Sequence, residues 1–393
     1  MKKPTQADIA KALGVSPATV ALVVGNSNSA LRHRLSPATI LRIEEKAREL
    51  GYSPHRGAQM MRQGRSNLIV LLNSGGYSEL VAKRVFHIGR IVHEIGYDFH
   101  VVEAYWWNGD AEAVIERIIG LRPEGLVIVG SFQSSFWAPH MERLFQQGIA
   151  VVTLGLELPK VPCIRHDVHT SVYRLTKWCL EQNRKNIVLL LRHSLNPTWQ
   201  TLARIEGFER AVKECTGLTP VTQVGLSEQT DRSDAGRSFM IALARSKREA
   251  FQPFNEGIEA MTTMAGWRSR PDAILCTNDE FAIGALSVCA SQNITVPDEI
   301  MLSGFDNLSH TALGPVPLTS VEQPIEAACE VAIEILQKNM GKQNPPVVGR
   351  RILPCEIIWR KSTAGPSLAG AQGASLTFQN PTQEHTPQEK ETP

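Results

Sequence analysis

Apolar positions recur along this chain with two periods, and the change of period divides it. From Asn67 onward, short continuous apolar runs alternate with amphipathic stretches. The runs at 68–72, 98–104, 125–129, 149–154, 187–191, 273–276 and 300–305 read as strands. "VFHIGRIVHEIG" and "GDAEAVIERIIGL" read as helices between them. Continuous apolar strands alternating with helices predict an α/β region whose parallel sheets are covered on both faces. So many strands in about 300 residues predict two sheets rather than one.

The first fifty or so residues are helical in period. "SPAT" occurs at 16–19 and again at 36–39, each time with Ser placed to cap a helix and Pro in its first turn. Thr5 with Asp8 three residues later makes a third start. The first helix is expected over about 6–13, ending at Gly14, and the second from Pro17. The third, carrying Ile40, Ile43, Ala47 and Leu50, is expected to stop at Gly51. Two short helices around a tight Gly turn, followed by a longer one, fit a helix-turn-helix, although generic three-helix packing shows the same period.

Composition narrows the class. A chain of 393 residues calls for two or three domains, and 42% hydrophobic with 20% charged residues suits a soluble globular protein. No run approaches the roughly 18 apolar residues of a membrane span, and the first eight residues lack the apolar core of a signal peptide, so a cytoplasmic location is expected. Seven scattered cysteines without C-x-x-C spacing read as reduced, mostly buried thiols. Charge is unevenly divided: residues 1–65 hold eleven Lys or Arg against four acids, which makes that end +7 and the remainder −5. A basic end on an acidic chain points to a polyanionic partner for that end.

The motifs sharpen this. "TQADIAKALGVSPATVALVVGN" followed by "LSPATILRIEEKARELGYSP" resembles the DNA-binding headpiece of the lactose-repressor (LacI/GalR) family of bacterial transcription regulators. "SPHRGAQMMRQGRS" is similar to that family's hinge helix, which orders on DNA and wedges an apolar side chain into the minor groove; Ala58 matches the motif's alanine and Met61 the wedge. The resemblance implies DNA contacts from Thr5, Ser16, Pro17, Ala18, Thr19, Leu22, Thr39, Tyr52, His55, Ala58 and Met61. Ala21-Leu22 stands where members often carry Ser-Arg, so the recognition helix lacks a guanine-reading arginine and offers a face suited to thymine methyls. The loop "NSNSALRHR" is about five residues longer than the usual connection in the resembled family, and Arg32 and Arg34 within it are candidates for phosphate contacts.

Many enzymes share a strand–helix alternation, but G-x-G-x-x-G, P-loop, G-x-S-x-G and H-E-x-x-H motifs are all missing. His166 and His169 flank Asp167 without a further ligand nearby, so neither a metal nor a cofactor is expected. The resemblance continues instead through "ARIEGF", "PDAILCTNDEFAIGAL", "SGFDN", "PLTSVEQP" and "ILPCEIIWRKS". It implies a two-lobed effector domain similar to sugar-binding periplasmic proteins, with Asp167, Arg204, Asn278, Asp306 and Gln323 as effector contacts. These residue types suit a polyol, because carboxylates accept from hydroxyls and the guanidinium donates to them. Tyr105, Trp106 and Trp107 could stack on a sugar ring or pack at the rim.

The expected division is a headpiece over 1–52, a hinge helix over 53–64, an effector and dimerisation domain over 66–362, and a disordered tail over 363–393. Lobe 1 is expected at about 66–184 with 324–342, and lobe 2 at about 186–322 with 345–362. Residues 227–269 exceed the usual length and match nothing. The function this implies is a dimeric, effector-controlled transcription regulator acting on a pseudo-palindromic operator; a sugar-binding receptor and an α/β enzyme are the alternatives.

Overall fold

In the computed structural model, residues 4–24, 35–53, 65–74, 78–104, 110–130, 134–194, 197–226, 237–244, 252–342 and 349–365 are described. The headpiece helices start where the capping residues stand. Helix α1 (Gln6–Leu13) opens with a reciprocal box: the Asp8 N–H donates to the Thr5 hydroxyl, and the Thr5 N–H donates to the Asp8 carboxylate at 2.8 Å. It stops at Gly14, whose φ of 66° lies in the left-handed region that glycine enters without strain. Helix α2 (Pro17–Val24) is capped by Ser16, which accepts from the Thr19 N–H at 3.0 Å. Helix α3 (Pro37–Glu49) is capped in the same way by Ser36, from the Thr39 N–H at 3.2 Å. Ile9, Ala10, Val20, Val23, Ile43 and Ala47 form its buried core, with Tyr52 packed against it.

In chain order there follow β1 (Leu68–Asn73), α4 (Glu79–Glu94), β2 (Asp98–Glu103), α5 (Ala111–Leu121), β3 (Gly125–Val129), β4 (Ala150–Leu154) and β5 (Cys163–His166). Short helical segments at Ser134–Trp137 and Met141–Gln146 lie between β3 and β4. Next come α6 (Val168–Glu181), β6 (Asn186–Arg192), α7 (Trp199–Thr216), β7 (Val221–Val224), β8 (Ser238–Ala244) and α8 (Pro253–Ala265). They lead to β9 (Ala273–Cys276), α9 (Asp279–Ser291), β10 (Met301–Phe305), β11 (Thr319–Glu322), α10 (Ile325–Asn339), β12 (Arg350–Leu353) and β13 (Glu356–Ile358).

The strands form two sheets, ordered β12-β5-β4-β3-β1-β2 and β13-β11-β10-β9-β6-β8-β7. Pairings from β1 to β5 and from β6 to β11 are parallel, whereas β13 runs antiparallel to β11. In the first sheet Val70, Leu72, Leu126 and Ile128 meet Val114, Ile115 and Ile118 of α5. The second sheet is buried on both faces, because successive side chains point in opposite directions. Ile187, Leu189 and Leu191 of β6 join Val172 and Leu175 of α6 and Phe208 of α7. Val188 and Leu190 join Met261 and Met264 of α8 and Phe281 and Ala285 of α9.

By internal contacts the chain divides into two compact units, Met1–Ile164 with Glu326–Arg351 and Arg165–Ile325 with Ile352–Pro393. This moves the expected lobe boundary. The stretch 165–184 was assigned to the first lobe, but Val168, Val172, Leu175 and Cys179 of α6 belong to the core beneath β6, so the crossover falls at 164/165. The return likewise falls at 351/352 rather than near 345. Ser362 closes the effector domain as expected, its hydroxyl donating to the Leu302 carbonyl at 2.6 Å, but the expected tail begins too early, because Thr363 is buried as well. The Trp178 indole donates to the Thr363 carbonyl at 3.0 Å. Residues 366–393 lie outside the described residues. Within 227–269, expected to exceed the usual length of the resembled family, lie β8 and α8. All seven cysteines are free thiols, five of them buried. No single helix among the described residues is long and apolar enough to cross a membrane.

Candidate functional site

On α2, Val20 and Val23 face the headpiece core, leaving Pro17 and Ala18 exposed and Thr19, Ala21 and Leu22 partly exposed. The polar groups at its start serve the helix itself: the Ser16 and Thr19 hydroxyls bond each other at 2.8 Å. Ser36 and Thr39 repeat that arrangement at 2.8 Å on α3. Thr5 is engaged in the capping box, and the Tyr52 N–H donates to the Ala47 carbonyl at 2.8 Å. The described headpiece, 4–24 with 35–53, holds Lys11, Arg42, Lys46 and Arg48 against Asp8, Glu44, Glu45 and Glu49, so it carries no net charge. The basic excess of residues 1–65 resides in Lys2, Lys3, Arg32, Arg34, Arg56, Arg62 and Arg65. Arg32, Arg34, His55, Ala58 and Met61, expected at the DNA, lie outside the described residues, as do Tyr105, Trp106 and Trp107.

The second unit gathers charged and aromatic side chains at the ends of β5, β9 and β10. Arg204, in the second turn of α7, is buried, and its Nη2 donates to the Thr277 carbonyl at 3.1 Å. Its guanidinium carbon lies 4.4 Å from the centroid of the Phe305 ring, and its Nε has no hydrogen-bond partner among the described residues. Burial lowers the Arg204 pKa, and Asp306 opposes that shift. Asp306 follows β10 directly; its N–H donates to the Val321 carbonyl at 2.7 Å and its carboxylate accepts from Gln323 Nε2 at 2.5 Å. Asn278 caps α9, accepting from the Phe281 N–H at 2.9 Å, and Asp167 caps α6, accepting from the Thr170 N–H at 3.0 Å.

Arg204, Asp306 and Gln323 are thus brought together. Asn278 adjoins the Thr277 carbonyl that Arg204 binds, and Asp167 adjoins His166, whose ring lies 6.2 Å from that of Phe305. The structure adds residues the motifs did not assign. Trp199, at the start of Arg204's own helix, meets His166 edge-on at 5.5 Å, and the Arg165 guanidinium lies 4.2 Å over the Trp199 ring. An aromatic right after the capping Thr198, five residues before Arg204, was the available signal. Among the described residues, no group of three His, Cys, Asp or Glu is placed to hold a metal. Guanidinium, carboxylate and amide beside aromatic faces suit a hydroxylated ring: polar groups fix its hydroxyls and ring faces cover its C–H surface.

Comparison with known proteins agrees with this division of labour. The model of the periplasmic binding protein-like domain matches residues 176–363. The repressor CytR of Escherichia coli K12 is 24% identical over 360 residues, covering 91% of this chain and 96% of CytR. The sucrose operon repressor of Shigella flexneri is 26% identical over 365 residues, covering 91% of this chain and 98% of that protein. Among solved structures, the Lac repressor dimer bound to operator and the anti-inducer ONPF has a TM-score of 0.70 at 19% identity, covering 92% of this chain and 99% of that one. The likeness to the repressors therefore runs through headpiece and both units alike. The chain is similar over nearly its whole length to repressors of the LacI/GalR family. Members of that family are DNA-binding transcription regulators rather than enzymes. The Arg204 cluster occupies the domain that matches the binding-protein model, and α2 is the second helix of the headpiece.

Proposed function

We propose that this chain is a cytoplasmic repressor that binds a pseudo-palindromic operator as a homodimer and changes its hold on DNA when a small polyol binds in the second unit. The observation that carries the reading is the buried Arg204, with an unused Nε–H, beside the Asp306–Gln323 pair, in a chain that also bears a capped helix-turn-helix. A buried charged donor left without an acceptor is costly, and a ligand hydroxyl supplies one. Asp167 and Asn278 line the same site, each with one oxygen already engaged by a helix N-terminus. At the DNA, the exposed start of α2 supplies methyl contacts, while Arg32 and Arg34 hold phosphates and His55, Ala58 and Met61 belong to the hinge. With so little base readout in α2, specificity rests on hinge insertion, DNA deformability and half-site spacing.

The test begins with an operator selected from randomised half-sites, followed by release assays with a panel of neutral mono- and disaccharides and nucleosides. Arg204→Ala is expected to keep operator affinity and lose release by any compound that frees the native protein. An Arg204→Ala variant released at native concentrations overturns the site; failure to select any operator overturns the DNA role.

A further inference from the structure

Asp306 can meet a ligand only if an unusual turn holds it in place. Asp306 has φ of 111° and Asn307 φ of 47°, two consecutive non-glycine residues at positive φ, a conformation that persists only where the surroundings enforce it. Three successive amides show how it is enforced. The Asp306 N–H donates to the Val321 carbonyl at 2.7 Å, the Asn307 N–H to the Ser320 hydroxyl oxygen at 2.9 Å, and the Leu308 N–H to Asp279 Oδ2 at 2.7 Å. The Ser320 hydroxyl in turn donates to Asp279 Oδ1 at 2.5 Å. One carboxylate therefore holds two of the three amides, Leu308 directly and Asn307 through Ser320. From the other side, Arg360 Nη2 donates to Asn307 Oδ1 at 2.7 Å, and Asn307 Nδ2 donates to Glu322 at 3.2 Å. Asp279 is fully buried at the start of α9, and Gly304 makes room for it: a Cβ there would fall 2.1 Å from Asp279 Oδ1.

We propose that Asp279 is a positioning residue of the effector site, whose ionised carboxylate locks the Asp306–Leu308 turn and whose protonation releases it. Both of its oxygens face donors, so an added proton displaces one of the two contacts. Burial pushes its pKa up to about 7, opposed by the bonds from Ser320 and Leu308; Asp306 adds to the rise and Arg360 counters it. The release therefore falls within the physiological range. The other titratable groups at hand are the Cys276 thiol, which burial keeps protonated, Glu322 beyond Arg360, and the exposed His310 in the turn after Leu308. The consequence for ligand binding rests on the reading of Asp306 as an effector contact, but the turn itself can be followed without ligand.

The experiment is amide-resolved hydrogen exchange on the ligand-free full chain between pH 5.5 and 8.5, corrected for intrinsic rates. The Leu308 amide is expected to lose protection about tenfold on going from pH 8 to pH 6, while the amides of β9 hold theirs. Asp279→Asn is expected to abolish that pH dependence. A pH-independent Leu308 in the native chain, or a dependence that survives in Asp279→Asn, overturns the proposal. Should Asp279→Asn also strip protection from β9, Ser320→Ala decides: removing a donor to the carboxylate must move the midpoint to higher pH, and an unmoved midpoint overturns it.

Discussion

The DNA-facing end and the effector-facing unit handle polarity in opposite ways. In the headpiece, the described charges cancel, the hydroxyls at the helix starts bond one another, and the surplus of basic residues sits in flanking segments. In the second unit, charges are buried and interlocked: Arg204 lies on Phe305, Asp279 grips the turn that carries Asp306, and Arg360 holds the same turn from its far side. On the proposed reading, the first arrangement gives electrostatic affinity with little base readout, and small additions to it should act independently. The second gives a site whose geometry fails as a whole when one member is displaced.

The largest effect belongs to the interlocked side. Gly304→Ala places a methyl group 2.1 Å from Asp279 Oδ1 and 3.0 Å from Leu318, and neither neighbour is free to move away. A loss of roughly 3 kcal/mol is expected, at the upper end of ordinary overpacking. Urea unfolding followed by tryptophan emission reads it selectively, since all seven tryptophans lie outside the first hundred residues. An unchanged midpoint would show that the α9–β10 contact yields easily, contrary to the rigid bracket described above.

Next comes Leu22→Arg on the open side. The native α2 presents Pro17, Ala18 and part of Leu22 without a strong guanine-reading donor. An arginine at 22 should add roughly 1–3 kcal/mol toward half-sites with guanine at the facing position. Selection on randomised half-sites checks it. A strict guanine requirement opposite Leu22 in the native protein contradicts the account of α2.

Legibility in the sequence followed the same divide. The headpiece helices could be read because caps and glycine stops are local signals, and their bounds agree with the structure. Buried central strands could be read as apolar runs, as at Gly125–Val129 and Ala273–Cys276. Strand β7 could not, because at the sheet edge its Val221, Thr222 and Val224 are exposed and carry no apolar run. The assignment of α6 failed because its apolar stripe fits either sheet, and only the shared core with Ile187 and Phe208 decides. In the site, motif positions named Asp306 and Arg204, but nothing local distinguishes Asp279 from its neighbour Asn278. That distinction depends on Ser320 and Leu308, tens of residues away.

A smaller effect tests where the DNA charge contacts lie. If Arg32 and Arg34 each hold a phosphate, the double alanine variant should flatten the log affinity against log salt slope by about 1.8 per half-site, or about 3.6 for the dimer, at about 0.9 per contact. The described headpiece has no net charge to compensate. Filter binding across a salt series measures this, and an unaltered slope removes the inserted loop from the interface.

The smallest change inverts the outcome of the largest. Gly57→Ala is the same chemical step as Gly304→Ala, a single methyl added to a glycine, but Gly57 falls in the segment proposed to become helical on DNA. A glycine there lowers helix propensity by up to about 1 kcal/mol relative to alanine, and that deficit is met each time the hinge orders on the operator. Alanine should therefore tighten operator binding by up to about fivefold per half-site, which corresponds to the same free energy for each hinge. Unfolding of the two units is expected to stay unaltered, because the hinge reading gives residue 57 its effect only on DNA. Weaker binding from Gly57→Ala would mean that the segment passes too close to the DNA for a methyl group, or that it does not become helical there. Circular dichroism of the complex separates the two, since only the second leaves the helical signal unchanged on adding operator.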